Sequence, residues 1–184
     1  IRCHNDECKQ KFHPETPIQL SNELNDYFGD SRETVLTKSL TKTHYDVANY
    51  IFELFKGKFM VEGAKSNDDW YEFNGTRWEK SNSLWTCLST IVVSSYKKFQ
   101  TTDPLILANV NEIINLLKSV NYKSSIMKES TYMFNNYDKH FLKKLDENSE
   151  LMCFENGVLD LSDRGCVFRE GDPKDYLTIS TGIN

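Results

Sequence analysis

The sequence predicts an α+β fold: a mainly helical domain carrying small antiparallel hairpins. Three observations lead there. Apolar residues recur at helical spacing in several stretches between positions 43 and 145, the mark of amphipathic helices. An Asn-Gly pair divides an aromatic-rich run at 69–80, which is the strongest short-range hairpin signal. From 151 onward the chain changes to short β-prone runs broken by turn residues. Helices followed by strands, without regular alternation, indicate segregated α and β parts.

The elements follow in order. Residues 1–17 hold two Cys, two His and two Pro without periodicity, and 18–42 are polar with one weakly amphipathic stretch (Leu20, Leu24, Tyr27, Phe28). We read 1–42 as a tail and linker and 43–184 as the domain. Thr43-His-Tyr-Asp46 has the form of a capping box, and Val47, Tyr50, Ile51, Leu54 and Phe55 give the stripe of a helix that Gly57 stops. In Asp69–Lys80, a two-residue turn at Asn74-Gly75 would set Phe73 opposite Thr76, Glu72 opposite Arg77, Tyr71 opposite Trp78 and Asp69 opposite Lys80. That register makes one face aromatic and the other charge-paired. Ser83 is placed to cap a helix with stripe Leu84, Leu88, Ile91, Val92 and Phe99.

Asp103-Pro104 starts the next helix, with an acidic N-cap and Pro at the first position. Its stripe is Ile106, Val110, Ile113, Ile114 and Leu117, ending near Asn121. A third helix carries Ile126, Ser130, Met133, Phe134 and Tyr137, and a short one surrounds Phe141, Leu142 and Leu145. Strands are expected at 151–161, around a second Asn-Gly, at 166–169 after a Ser162–Gly165 turn, and at 176–180.

Composition narrows the function. Of 184 residues, 39% are apolar and 12% aromatic, enough for one real core. No run approaches the roughly 18 apolar residues that span a bilayer, so no membrane partner is expected. The chain opens Ile-Arg-Cys-His, without an apolar secretory stretch, and an initial Ile is what a piece of a longer protein would show. Five scattered cysteines, an odd count, favour a reducing, intracellular compartment. Net charge is −5 and unevenly spread: 11 basic against 14 acidic side chains in 1–95, 8 against 4 in 96–144, and 3 against 9 in 145–184. Only the middle segment, at +4, is suited to attract phosphate.

No catalytic residue is expected. The chain lacks Gly-x-x-x-x-Gly-Lys-Ser/Thr, the loop that cradles nucleotide phosphates. Asp68-Asp69 fall in a turn, and Asp160 stands alone on a strand. The metal candidates are Cys3, Cys8 and His13, with His4 beside them. Their chemistry suits zinc, while four-residue gaps are looser than a well-formed knuckle; an exposed tail with free thiols is the competing reading. For nucleic acid, the candidates are Lys97, Lys98, Lys118, Lys123, Lys128, Lys143 and Lys144, beside Tyr96, Tyr122 and Phe141. Basic side chains track a backbone and aromatics stack on bases, although aromatics at helical spacing usually belong to the core.

Three pieces carry a family resemblance: the Asp46-Val-Ala helix start, the Trp70-Tyr-Glu-Phe-Asn-Gly-Thr-Arg-Trp78 hairpin, and Phe141-Leu-Lys-Lys-Leu-Asp146 leading into Asn156-Gly-Val-Leu-Asp-Leu161 and a Tyr-Leu-Thr-Ile run. Residues 43–184 thereby resemble the domain that precedes the superfamily III helicase in primase–helicases of large nucleocytoplasmic DNA viruses and some phages. The resemblance implies a non-catalytic collar that positions a hexameric helicase and guides single-stranded DNA. It places ATP and Mg²⁺ in the helicase portion. It also implies self-association through the parent hexamer, contacts with other replication proteins, and a viral replication site in the host cytoplasm or nucleus. The alternative is a zinc-stabilised module that recruits replication proteins without touching DNA.

Overall fold

Local sequence chemistry sets the helix ends. The computed structural model describes residues 32–62, 69–162 and 165–183. The first described helix, α1 (residues 32–39), buries Leu36, Ser39 and the following Leu40. This corrects the linker reading of that stretch. A polar sequence with two leucines four apart is enough to dock a helix on a neighbour. Helix α2 (His44–Phe55) begins as expected: the Thr43 hydroxyl accepts from the Asp46 amide, and the Asp46 carboxylate accepts from the hydroxyls of Thr43 and Thr41. Gly57, at φ +80°, turns the chain at its end.

Three strands follow, where two were expected. β1 (Phe59–Glu62), β2 (Asp69–Phe73) and β3 (Trp78–Lys80) form an antiparallel sheet in that order. The hairpin register differs from the sequence reading: Phe73 pairs with Trp78, Glu72 with Glu79 and Tyr71 with Lys80. The cause is the Asn74 side chain. Its Oδ1 accepts from the backbone amides of Thr76 and Arg77, at 2.9 and 3.0 Å, and the Asn74 backbone N–H donates to the Arg77 carbonyl. Asn74 and Arg77 thus close a four-residue loop, with Gly75 at φ +112°. A slip of two residues leaves each side chain on its original face, so Tyr71, Phe73 and Trp78 still share one.

Helix α3 (Ser83–Cys87) passes through a π-helical turn (Leu88–Val92) into α4 (Val93–Lys98). The extra residue in the π turn rotates the stripe: Ile91 is exposed and Val93 and Tyr96 are buried. Ser83 does not cap; Asn82 precedes the helix, and the Ser83 hydroxyl donates to Glu72. Asp103 caps α5 (Pro104–Leu116) through the amides of Leu105 and Ile106. That helix ends short of Asn121, because α6 (Val120–Tyr137) has already begun. Helix α7 (Phe141–Lys144) is a single turn.

The second sheet, β4 (Leu151–Phe154), β5 (Gly157–Asp160) and β6 (Val167–Arg169), is a meander. The 176–180 stretch is not a strand. It is an extended strap whose backbone serves several elements: Tyr176 O accepts from Asp146 N, Leu177 O from Trp78 N, and Thr181 N donates to Cys153 O. Such scattered partners cannot build a ladder.

The first sheet is the middle layer. Phe59, Val61 and Trp70 join the main core with α1–α6, whereas Met60, Tyr71, Phe73 and Trp78 point the other way onto Phe141 and Tyr176. Helices α2 and α6 run parallel in the helical layer, since His44 meets Tyr122 near their starts and Phe52 meets Phe134 near their ends. Cys153, Val158 and Leu177 form a small third cluster under the second sheet.

Candidate functional site

The seven lysines marked by sequence fall into three environments. Lys97 and Lys98 close α4, Lys128 sits on α6 and Lys143 on α7; all four are exposed and make no ion pair among the described residues. Lys118, also exposed, donates to Asn115 Oδ1 at 3.0 Å. Lys123 is buried: its Nζ lies 4.6 Å from the Trp85 ring centroid and donates to Ser89 Oγ at 3.0 Å. A cation satisfied by a ring face and a hydroxyl holds α6 against α3 and is not presented to a phosphate. Lys144 is ion-paired with Asp138 at 2.7 Å.

The aromatics beside these lysines are structural. Tyr96 and Phe141 are buried in separate clusters, and Tyr122 donates to the Lys42 carbonyl at 2.8 Å. Burial pushes the Tyr122 phenol up to about 12, with Glu112 adding to the shift. Sequence reading passed over Tyr132, which is 64% exposed. It lies four residues after Lys128 on α6, a spacing that puts both on one face and was legible in the sequence.

Lys144 belongs to a groove of about 420 Å³ between the first sheet, α7 and the Pro173–Asp175 turn. Its floor is Met60, Trp78 and Phe141, with Tyr137 and Tyr176 as walls. Trp78 Nε1 donates to Pro173 O at 2.8 Å. Across the rim, Asp138 Oδ2 accepts from Lys144 Nζ and from Tyr176 OH, at 2.7 and 2.8 Å, and Oδ1 accepts from the His140 amide. Tyr176 is held at φ +52°, a conformation that costs a non-glycine residue of order 1–3 kcal/mol. Its hydroxyl and its carbonyl are both engaged, which keeps it there. The triad is a clasp fastening the strap to α6 and α7.

Burial alone would raise the Asp138 carboxyl, but Lys144, the Tyr176 hydroxyl and the His140 amide outweigh it and leave it below the usual range. A carboxyl lowered in the folded state stabilises above its unfolded pKa, near 4, and that stability is lost as pH falls through the folded value. Asp138→Asn is therefore expected to flatten the fall in thermal midpoint between about pH 5 and pH 3; an unaltered acid profile would show the clasp to be immaterial.

Asp160 is not alone, contrary to the sequence reading. Arg169 bridges it, at 3.2 Å, to Asp175, at 2.7 Å. The Asp175 and Asp160 carboxylates push the guanidinium further up, and the network joins β5 and β6 to the 173–175 turn. Cys3, Cys8 and His13, with His4, lie outside the described residues. Among the described residues no three His, Cys, Asp or Glu side chains gather as a metal would need.

Fold and site together define a layered α+β domain with exposed lysines that have no carboxylate partner among the described residues, and a clasped aromatic groove. Residues 48–184 match the family model described as D5 N terminal like, and the chain belongs to that family. The match bears out the resemblance, and it covers the pieces at 70–78 and 141–161 that carried it. A curated protein of Acanthamoeba polyphaga mimivirus, named "Putative helicase L207/L206", is 29% identical over 168 residues. The alignment covers 80% of this chain and 17% of the relative, so the chain spans about a sixth of that protein's length.

Proposed function

We propose that this domain is a non-catalytic connector of a viral replicative primase–helicase, orienting the helicase and guiding single-stranded DNA along its exposed lysines. Family membership carries the connector half, together with the name of the mimivirus relative. The DNA half rests on Lys97, Lys98, Lys128 and Lys143, exposed and without a carboxylate partner among the described residues, and on exposed Tyr132 beside Lys128. Unpaired ammonium groups are free to displace counterions from phosphates, and an exposed ring offers a face to a base. Any ATP-driven step falls to a part of the protein with a phosphate loop, which this sequence lacks. The place of work would be the intracellular site of viral replication.

The test is fluorescence anisotropy with a labelled oligothymidylate across a salt series. Replacing Lys97, Lys98, Lys128 and Lys143 by Gln should weaken binding and reduce the salt slope by up to about 0.7 per lysine that touches phosphate. Lys144 is left intact so that the clasp survives. Affinity and slope equal to those of the unaltered chain would sink the DNA half of the proposal.

A further inference from the structure

We infer that the aromatic groove between the first sheet, α7 and the Pro173–Asp175 turn is a binding site for a proline-rich segment in the polyproline II conformation. Its shape is set before any ligand arrives. Tyr137, 54% exposed, stands as one wall, with its ring braced on Phe52 at 5.5 Å between centroids. Tyr176 forms the other, with its ring 6.1 Å from that of Phe141 and its hydroxyl fixed on Asp138. Between them lie the buried side chains of Met60, Trp78 and Phe141. A volume of about 420 Å³ falls within the range of pockets that bury a compact ligand. Aromatic walls over an apolar floor are what extended proline segments dock on.

Polar chemistry selects the occupant. Two ammonium groups, Lys144 and Lys174, and two carboxylates, Asp138 and Asp172, line the groove. Their charges cancel, which favours a neutral ligand over an anionic strand or a basic peptide. The acceptors are largely used: Asp138 takes Lys144, Tyr176 and the His140 amide, and Asp172 takes the Lys174 amide within its own turn. What is left over donates. Tyr137 OH and Lys174 Nζ have no hydrogen-bond partner among the described residues. Lys144 Nζ makes two bonds, which leaves one of the three N–H groups of an ammonium. A ligand that only accepts fits such a lining. Proline is the residue without an N–H, and polyproline II makes no internal hydrogen bonds, so its carbonyls are all available. The chain already holds one such contact: the Pro173 carbonyl accepts from Trp78 Nε1 at 2.8 Å, and both residues line the groove. The site needs neither DNA nor a helicase, and none of the four lysines of the DNA reading lines it.

Isothermal titration calorimetry of the whole chain with decaproline, acetylated and amidated so that it carries no charge, tests it. Binding should saturate at one site and should not weaken when salt is raised from about 0.1 M to about 1 M, since no ion pair is screened. A Gly-Ser peptide of equal length, flexible and rich in N–H groups, should bind at least about tenfold more weakly. Tyr137→Ala removes one wall at an exposed position and should weaken decaproline about tenfold, as truncating an anchoring aromatic does, while circular dichroism shows the fold retained. Lys174→Met keeps the stem and removes the donor, so its loss should be smaller, about threefold. No saturable binding at millimolar peptide, weakening by salt, equal affinity for the Gly-Ser peptide, or Tyr137→Ala binding as the unaltered chain does would each overturn the inference. So would displacement of decaproline by oligothymidylate, which would give the groove to nucleic acid. The variant lacking Lys97, Lys98, Lys128 and Lys143 should bind decaproline normally, which separates failure here from failure of the DNA reading.

Discussion

Trp78→Ala is expected to cost about 3–5 kcal/mol of folding stability, the range for truncating a large core aromatic. Trp78 is 2% exposed and joins the first sheet to everything beyond it. Its ring centroid lies 5.5 Å from that of Phe73 and 5.1 Å from that of Phe141, and its indole N–H satisfies the Pro173 carbonyl. Truncation opens a cavity between sheet and α7 and leaves that carbonyl without its donor. Trp78→Phe keeps most of the ring and removes the hydrogen bond, so it should cost much less, with a polar contribution of about 1 kcal/mol. Urea denaturation followed by far-ultraviolet circular dichroism gives both values. A loss below about 1.5 kcal/mol for the alanine variant, less than large core truncations cost, would mean that the middle layer is not held from this side.

Tyr96→Ala should have a comparable effect, also about 3–5 kcal/mol, by a different route. Tyr96 is fully buried in the helical layer and packs on Tyr50 at 5.3 Å between ring centroids. Its hydroxyl shares a 2.6 Å hydrogen bond with Ser39. Ser39 also donates to the Leu36 carbonyl, which leaves Tyr96 as the donor between them. Loss of the ring removes the floor on which α1 rests, so residues 32–40 should gain protease sensitivity beyond the global destabilisation. Tyr96→Phe, retaining the ring, should keep α1 docked; an alanine variant whose residues 32–40 are cleaved no faster than its global stability requires would show that α1 is not anchored there. Burial pushes the Tyr96 phenol well above its ordinary range, although Ser39 opposes the shift. A phenol raised in the folded state stabilises below its unfolded pKa, near 10. That contribution is lost as pH rises through the folded value.

Short-range chemistry was legible in the sequence. Thr43 and Asp103 cap the helices expected of them, and the α2 and α5 stripes face the core as their spacing required, with Leu54 and Ile106 partly buried at its edge. The aromatic hairpin and the Asn-Gly meander both formed. Each depends on groups within a few residues of one another. The hairpin register was harder, because the Asn74 side chain rather than the Asn-Gly pair closed the turn. The π turn gives no sequence signal short of knowing which side of the helix the core occupies.

The candidate site shows the same division. Sequence supplied the family and the positions of the lysines, because membership follows residue order and cations are visible wherever they stand. It could not say which cations are free. Lys123 is occupied by Ser89, 34 positions away, and Lys144 by a clasp whose Tyr176 lies 32 positions on. The same chemistry that would bind a phosphate is consumed by partners that only folding brings within 3–4 Å.

By itself, then, the sequence determined the α+β class, the helix boundaries set by caps and the family, all of which rest on nearest neighbours along the chain. Only the tertiary structure decided that 32–39 is a core helix and that the first sheet is buried on both faces. It alone showed that four of the seven lysines are exposed and make no ion pair among the described residues, and that no described residue covers one face of the second sheet. Burial and pairing are properties of distant residues meeting, and no local pattern encodes them.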